Sequence, residues 1–213
     1  MVDRPHKSDT PGPFRAHHIR DGDRYELSRG HAIWAAPSGG DHGRGAALGA
    51  LVMETDPKSD GAGVDVGFTS EESELRAPDV AVGGVPDQPG WVRGAPVLAL
   101  EYAAVGQDEE SLHDRIADLF RAGTREVWVV RLIGPRRVEV HRPNRPVEVA
   151  GPGQELALPE VLAHPIPVEA LYDRSFAHRL ALRNLLERFG YRDVDEIREE
   201  GREEGREEGR EEG

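Results

Sequence analysis

Two acidic residues next to apolar segments are the features of this sequence that could do chemistry. Asp79 follows Pro78 at the start of the short apolar segment 80–82, and Glu101 directly follows the apolar run 96–100. A carboxylate in such a place is costly unless water, an ion pair or a bound cation stabilises it. If the two strands meet at one sheet edge, the pair could bind a hard divalent ion such as Mg²⁺. Such an ion can activate water for in-line displacement at phosphorus.

Both acids also have a structural interpretation. Asp79 could cap the turn after Pro78, and Glu101 could form an ion pair with a neighbouring cation. Acidic residues at strand ends are common, so the two residues taken alone favour the structural interpretation. The order of the surrounding elements changes that balance.

The elements around the two acids predict an α/β domain over residues 20–191. Segments 78–82, 96–100 and 126–130 are apolar enough to be buried strands, and 109–122 is an amphipathic helix that Gly123 ends. Strand, helix and strand over 96–130 form a right-handed crossover unit. Further strands are predicted within 25–36 and at 64–68, 138–140 and 147–149, with further helices at 42–54 and 168–189. The whole is predicted to be a mixed β-sheet flanked by helices, with disordered or frayed termini.

Five motifs in this order resemble the Uma-two family of restriction endonucleases in the PD-(D/E)XK nuclease superfamily. They are Tyr25-Glu26-Leu27 with Gly30, Pro37-Ser38 with His42, Arg76-Ala77-Pro78-Asp79-Val80, Leu98-Ala99-Leu100-Glu101, and Ala122-Gly123 followed by Glu126-Val127-Trp128-Val129-Val130. The resemblance implies a restriction-endonuclease-like fold and cleavage of DNA phosphodiester bonds. It implies Mg²⁺, or Mn²⁺, held by Asp79 and Glu101, with Glu26 as a third acidic member of the site.

The sequence departs from the family where the family carries a lysine on the following helix. Arg115 falls at that position, Ser111 replaces an Asp, and Leu119 replaces a Tyr. An arginine could stabilise negative charge but is a poor proton-transfer group, because its pKa stays above about 12. Arg115 could equally form a plain ion pair with Glu101. Two hypotheses follow: a metal-dependent endonuclease with a degenerate site, or a non-catalytic binding or scaffold protein that keeps the nuclease fold.

Two polar residues and two tryptophans are further residues whose place relative to the site the sequence suggests. His42 could lie near it or be an exposed residue at a helix start, and Asp65 could belong to it or point outward from a strand. Trp91, in a loop rich in Pro and Gly, is a candidate for base stacking or a partner contact. Trp128 lies inside an apolar run and is predicted to be core.

Composition and the chain ends limit the classes of function. The net charge of −13 argues against a broad, non-specific grip on phosphates, although a metal-bridged contact with DNA remains compatible with it. The absence of cysteine excludes disulfides and thiolate metal sites. No apolar run approaches the roughly 20 residues that span a bilayer, and no apolar signal core is visible, so the cytoplasm is the expected location.

The two ends are polar. Residues 1–19 are predicted to be a flexible arm, and residues 192–213 an acidic tail that contains four Arg-Glu-Glu-Gly repeats. The tail is expected to be solvated and frayed, although a helix supported by Arg–Glu pairs is also compatible with its pattern. A coiled-coil tail, and with it a homodimer, is the alternative.

Overall fold

The computed structural model describes residues 12–106 and 108–211, and the predicted α/β fold is confirmed. The elements in chain order are β1 Tyr25–Ser28, β2 His31–Trp34, α1 Gly40–Thr55, β3 Ala62–Val64, β4 Phe68–Thr69, β5 Val80–Val82, β6 Val92–Arg93, β7 Leu98–Ala103, α2 Glu109–Ala122, β8 Glu126–Arg131, β9 Arg137–His141, β10 Glu148–Ala150, β11 Glu155–Leu156, β12 Ile166–Pro167, α3 Arg174–Arg188 and α4 Val194–Glu211.

A mixed sheet of six strands forms the centre of the domain, in the order β10-β9-β8-β7-β5-β3. Strands β7 and β8 are parallel and joined through α2, whereas the other neighbours in this sheet are antiparallel. Both faces of the two parallel strands are covered, which explains their continuous apolar sequences. Helix α2 packs on one face, and α1 and α3 contribute to the core on the other, where Trp128 is fully buried.

Helix α2 agrees with its sequence pattern at both ends. Asp108 accepts a hydrogen bond from the backbone N–H of Ser111, which caps the first turn. Gly123 ends the helix with φ +117°, a conformation that favours glycine. Leu112, Ile116 and Leu119 are buried against the sheet, so the predicted apolar face is the packing face.

Helix α1 approaches the sheet closely because it carries glycine where it crosses Tyr102 of β7. A Cβ added at Gly45 would lie 2.7 Å from Tyr102 Cδ1, and one added at Gly49 would overlap Tyr102 Oη. That hydroxyl donates a hydrogen bond to the carbonyl oxygen of Leu171 at 3.1 Å. The two glycines therefore set the distance between α1 and β7.

Three predicted elements differ from the structure. The strand expected at 64–68 is broken at Asp65, whose φ of +53° turns the chain between β3 and β4. Strand β7 continues past Glu101 to Ala103. The helix expected at 168–189 is divided into a short 3₁₀ helix at 168–171 and α3, because Asp173 caps a new helix start by accepting hydrogen bonds from the backbone N–H groups of Ser175 and Phe176.

The structure describes part of each chain end. Residues 1–11 of the predicted arm lie outside the described residues, but Ala16 and Ile19 are buried against Leu27 and Leu75. The tail forms α4, and Arg198 pairs with Asp195 one turn before it at 2.8 Å. No helix in the described part of the chain has the length and apolarity needed to cross a membrane.

Candidate active site

A cleft of about 610 Å³ lies at the edge of the sheet and collects the residues to which the sequence assigned chemistry. The hairpin β1–β2, the beginning of α1, the loop before β5, strand β7 and helix α2 all contribute to its walls. Its ionisable residues include Glu26, His42, Asp65, Asp79, Glu101 and Arg115. With Asp65 from the turn between β3 and β4, residues from six parts of the fold thus meet in one place.

Asp79 is held in the cleft by two hydrogen bonds from different elements. Its Oδ2 accepts from the backbone N–H of Tyr102 at 2.6 Å, and its Oδ1 lies 3.0 Å from His42 Nε2. Because Val80 pairs with Leu100 in antiparallel register, Asp79 comes to lie beside Glu101. The hydrogen bond to Asp79 raises the pKa of His42, an effect that burial partly opposes.

Glu101 differs from the other carboxylates of the cleft, because it is only 3% exposed and only one of its two oxygen atoms accepts a hydrogen bond within the described residues. Its Oε2 accepts a hydrogen bond from Arg115 at 2.9 Å, whereas its Oε1 is buried without a hydrogen-bond partner among the described residues. Burial raises the pKa of Glu101 to about 8 despite the opposing charge of Arg115, and the negative charges of Asp79 and Glu26 add to the rise. The free oxygen atom lies where a cation would be stabilised.

Arg115 bridges two acids, as the ion-pair interpretation expected for Glu101. Its Nη1 lies 2.9 Å from Glu101 Oε2 and its Nη2 lies 3.0 Å from Glu26 Oε1. The charges of Glu101 and Glu26 raise the pKa of Arg115 further, so the guanidinium is always charged. Its side chain is 26% exposed, which leaves part of it open to the cleft.

An ionic chain continues from the cleft into the domain, and sequence reasoning missed most of it. Arg76 pairs with Glu26 at 3.1 Å and with Asp118 at 2.5 Å. Arg121 then pairs with Asp118 at 2.8 Å and with Glu74 at 3.1 Å. The complete ionic chain is Glu101, Arg115, Glu26, Arg76, Asp118, Arg121 and Glu74, with charges of alternating sign. The sequence did contain a sign that Asp118 is buried and needs a cation, because it lies between the apolar residues Ile116 and Leu119 of α2.

The secondary candidates are divided between the cleft and the core. His42 and Asp65 both line the cleft, and burial, followed by the charges of Asp79 and Glu26, raises the pKa of Asp65. Trp91 also lines the cleft, but its Nε1–H donates to the carbonyl oxygen of Ala16 at 3.3 Å and its ring packs on the surrounding apolar cluster. Trp91 is thus part of a fixed wall.

The donor set of the cleft fits a hard cation only in part. In the described ranges, no group of three or more His, Asp or Glu side chains is arranged as a metal site. Asp79, just before β5, and Glu101, in β7, nevertheless come from neighbouring parts of the sheet, and Glu101 Oε1 is buried without a hydrogen-bond partner among the described residues. Mg²⁺ commonly binds proteins through one or two carboxylates and completes its shell with water.

The family of the chain follows from its sequence. Residues 13–168 match the model of the Uma2 family, whose description is "Putative restriction endonuclease". The chain belongs to the Uma2 family. The match contains every residue of the ionic chain and all the walls of the cleft, and it ends before α3 and α4. Among curated proteins, none matches the sequence.

A solved structure supports the fold of this Uma2 member. The chain resembles a protein from Anabaena variabilis whose crystal structure is titled a putative nuclease belonging to DUF820. The TM-score is 0.61 at 18% sequence identity, over 73% of this chain and 92% of that chain. At this identity the likeness establishes a shared fold.

Proposed function

We propose that this Uma2-family protein is a Mg²⁺- or Mn²⁺-dependent endonuclease that hydrolyses DNA phosphodiester bonds. The observation that carries the proposal is the buried Oε1 of Glu101, which has no hydrogen-bond partner among the described residues and belongs to a cleft that Asp79 also lines. A buried carboxylate oxygen without a donor is costly, and a divalent cation would stabilise it.

Asp79 and Glu101 are the residues that would hold the ion. Asp79 can serve although both its oxygens already accept hydrogen bonds, because each carboxylate oxygen has a second lone pair. The bonds from Tyr102 and His42 fix the orientation of the carboxylate. When bound, the ion would lower the pKa of a coordinated water and offset phosphate charge.

Arg115 would stabilise charge on the scissile phosphate. Two of its nitrogen atoms are engaged by Glu101 and Glu26, but the partly exposed guanidinium carries further N–H donors. It would not transfer protons, because its pKa lies far above neutral pH. His42 lines the same cleft, and its hydrogen bond to Asp79 raises its pKa, which favours the charged imidazole.

The charge of the cleft opposes phosphate binding when no cation is bound. Its described lining includes six carboxylates, those of Asp21, Asp23, Glu26, Asp65, Asp79 and Glu101, against the arginines Arg24 and Arg115. Phosphate would be repelled from such a lining unless a divalent ion bridged the two. The proposed nuclease should therefore bind DNA backbone weakly when divalent ions are removed.

One observation favours the alternative, a non-catalytic binding or scaffold protein. Arg115 occupies the helix position where the resemblance placed a lysine, and it is committed to ion pairs with Glu101 and Glu26. A guanidinium held in this way could replace the ion rather than assist it. The two functions differ in whether Mg²⁺ binds at all.

The test is cleavage of supercoiled plasmid and single-stranded DNA by the full chain in Mg²⁺, Mn²⁺ or EDTA. We expect cleavage with either ion and none in EDTA, and a loss of at least 100-fold for Glu101→Gln, which keeps the size of the side chain. The control is Glu160→Gln, which alters an exposed acid that forms a surface ion pair with Arg125. Calorimetry should detect Mg²⁺ binding that Glu101→Gln removes; no binding and no cleavage would establish the alternative.

A further inference from the structure

We propose that Tyr25 and Trp34 form a stacking surface for an unpaired base, so that the cleft receives nucleotides that are single-stranded or extruded from a duplex. This inference rests on the proposed nuclease function and adds the conformation of its substrate. Both residues line the cleft that contains Glu101.

The two aromatic side chains are adjacent and exposed. Tyr25 pairs with Trp34 in the antiparallel register of β1 and β2, and directly opposite residues in such a pair project from the same face of the sheet. Tyr25 is 42% exposed and Trp34 is 45% exposed, which is unusual for rings of this size. An aromatic surface therefore faces solvent at the mouth of the cleft.

The hairpin that carries these rings is anchored, so their position is fixed before a ligand binds. Leu27 exchanges two backbone hydrogen bonds with Leu75, at 2.8 and 3.1 Å. Arg29 and Gly30 form the turn, with φ of +50° and +76°. Preorganised aromatic surfaces lose little freedom when a base stacks on them.

The acidic lining of the cleft strengthens the case for stacking. Phosphate contacts cannot supply much affinity where carboxylates outnumber arginines, but stacking needs no charge on the protein. A base inside a duplex has both faces covered by its neighbours. Only an unpaired base can place a face on Trp34, and a cleft of about 610 Å³ is large enough to admit one nucleotide.

Trp91 does not compete for this role. Its ring is partly buried and its N–H is bound to Ala16, whereas Trp128 is fully buried in the core. Among the three tryptophans of the chain, Trp34 is the exposed one. Because Trp91 also lines the cleft, Trp34→Phe is needed to separate the emission change of Trp34 from that of Trp91.

The experiment measures binding of a labelled 15-nucleotide thymidine strand to the full chain in EDTA, where no cleavage interferes, by anisotropy and by tryptophan quenching. We expect Trp34→Ala and Tyr25→Ala each to weaken binding at least fivefold. Trp34→Phe should retain affinity within about twofold and lose the quenching. Phe189→Ala, which removes an exposed aromatic that follows helix α3 and does not line the cleft, is the matched control and should change neither.

A duplex of the same length should bind at least tenfold more weakly than the single strand, and binding of the strand should depend little on salt. Equal affinity of wild type and Trp34→Ala, with both folded by circular dichroism, would overturn the inference, and so would equal binding of duplex and single strand. The inference would also be overturned if Trp34→Ala lost self-association but bound the strand as the wild type does. A failed cleavage assay together with strand binding that depends on Trp34 would overturn the proposed function alone.

Discussion

Arg115 lies between Glu101 and Glu26, with nitrogen–oxygen distances of 2.9 and 3.0 Å to the two carboxylates. One guanidinium thus faces two buried acids, and Oε1 of Glu101 remains without a partner in the described structure. A carboxylate in this state should respond to both pH and divalent ions. Just before the neighbouring strand, Asp79 in turn contacts His42.

The stability of the protein should fall as the pH rises from about 4.5 to about 8, through ionisation of Glu101. A raised pKa means that the folded state holds this proton more tightly, so its contribution is fully present below the unfolded pKa and is lost through the folded pKa. The slope for one proton is at most about 1.4 kcal/mol per pH unit. Urea unfolding at a series of pH values should show this slope in the wild type.

Glu101→Gln should flatten that dependence, because the amide does not ionise. If the variant and the wild type kept parallel stability profiles across this window, Glu101 would not be the titrating group. The same protonation should make Mg²⁺ binding stronger towards pH 8, with proton release below that pH that calorimetry in buffers of different ionisation enthalpy can measure.

Asp79→Asn should lower the pKa of His42 towards its ordinary value near 6.5. The hydrogen bond from His42 Nε2 to Asp79 Oδ1 is the largest cause of the rise, and the neutral amide no longer favours the charged imidazole. Stability from this pair is present below the unfolded pKa of His42 and is lost as pH rises through the folded value. An NMR titration of the His42 ring should resolve the shift, and an unchanged midpoint would contradict the proposed bond.

Arg76→Ala should destabilise the protein by about 3–5 kcal/mol, because it leaves Glu26 and Asp118 buried without their shared partner. Arg125→Ala is the matched control, since its pair with Glu160 is exposed on both sides and should contribute less than about 1 kcal/mol. Denaturant unfolding of both variants makes the comparison. Similar losses in the two variants would mean that the ionic chain has no special role in the fold.

Gly49→Ala should destabilise the domain by about 1–3 kcal/mol or more, because the new methyl group would overlap Tyr102 Oη and push α1 away from β7. Gly43→Ala, on the same helix, meets no atom within 4 Å and should be neutral or stabilising by up to about 1 kcal/mol. Thermal unfolding should order the variants in this way. If Gly49→Ala were as stable as Gly43→Ala, the close approach would not be needed.

The sequence predicted the elements whose patterns are strong and local. Helix α2 and the strands β7 and β8 were predictable because their apolar patterns have clear ends. The family motifs predicted that Asp79 and Glu101 lie at one site, and both line the cleft. Arg76 escaped assignment because its partners Glu26 and Asp118 lie far away in the chain, and pairings over such distances leave no local pattern. The exposure of Trp34 escaped for a similar reason, since an apolar strand segment is ordinarily buried.

The breaks in predicted elements have a common cause. At Asp65 and at Asp173, a polar side chain that can stabilise a turn or a helix start interrupts a segment whose apolar periodicity continues. Periodicity reports which residues face the core, whereas backbone direction also depends on such local hydrogen bonds. The tail illustrates the converse, because α4 forms in a polar segment where Arg198 pairs with Asp195, and where Arg192, just before the helix, pairs with Glu196.

The ionic chain restricts how this protein can change over evolutionary time. Since each interior member is shared by two neighbours of opposite sign, a charge-altering replacement at one position leaves an unmatched charge at the next. Viable replacements would come as compensated pairs, such as Glu26 together with Arg76. Related sequences that lack one of these residues should therefore lack its partner as well, and this covariation would trace the route from the cleft to Glu74.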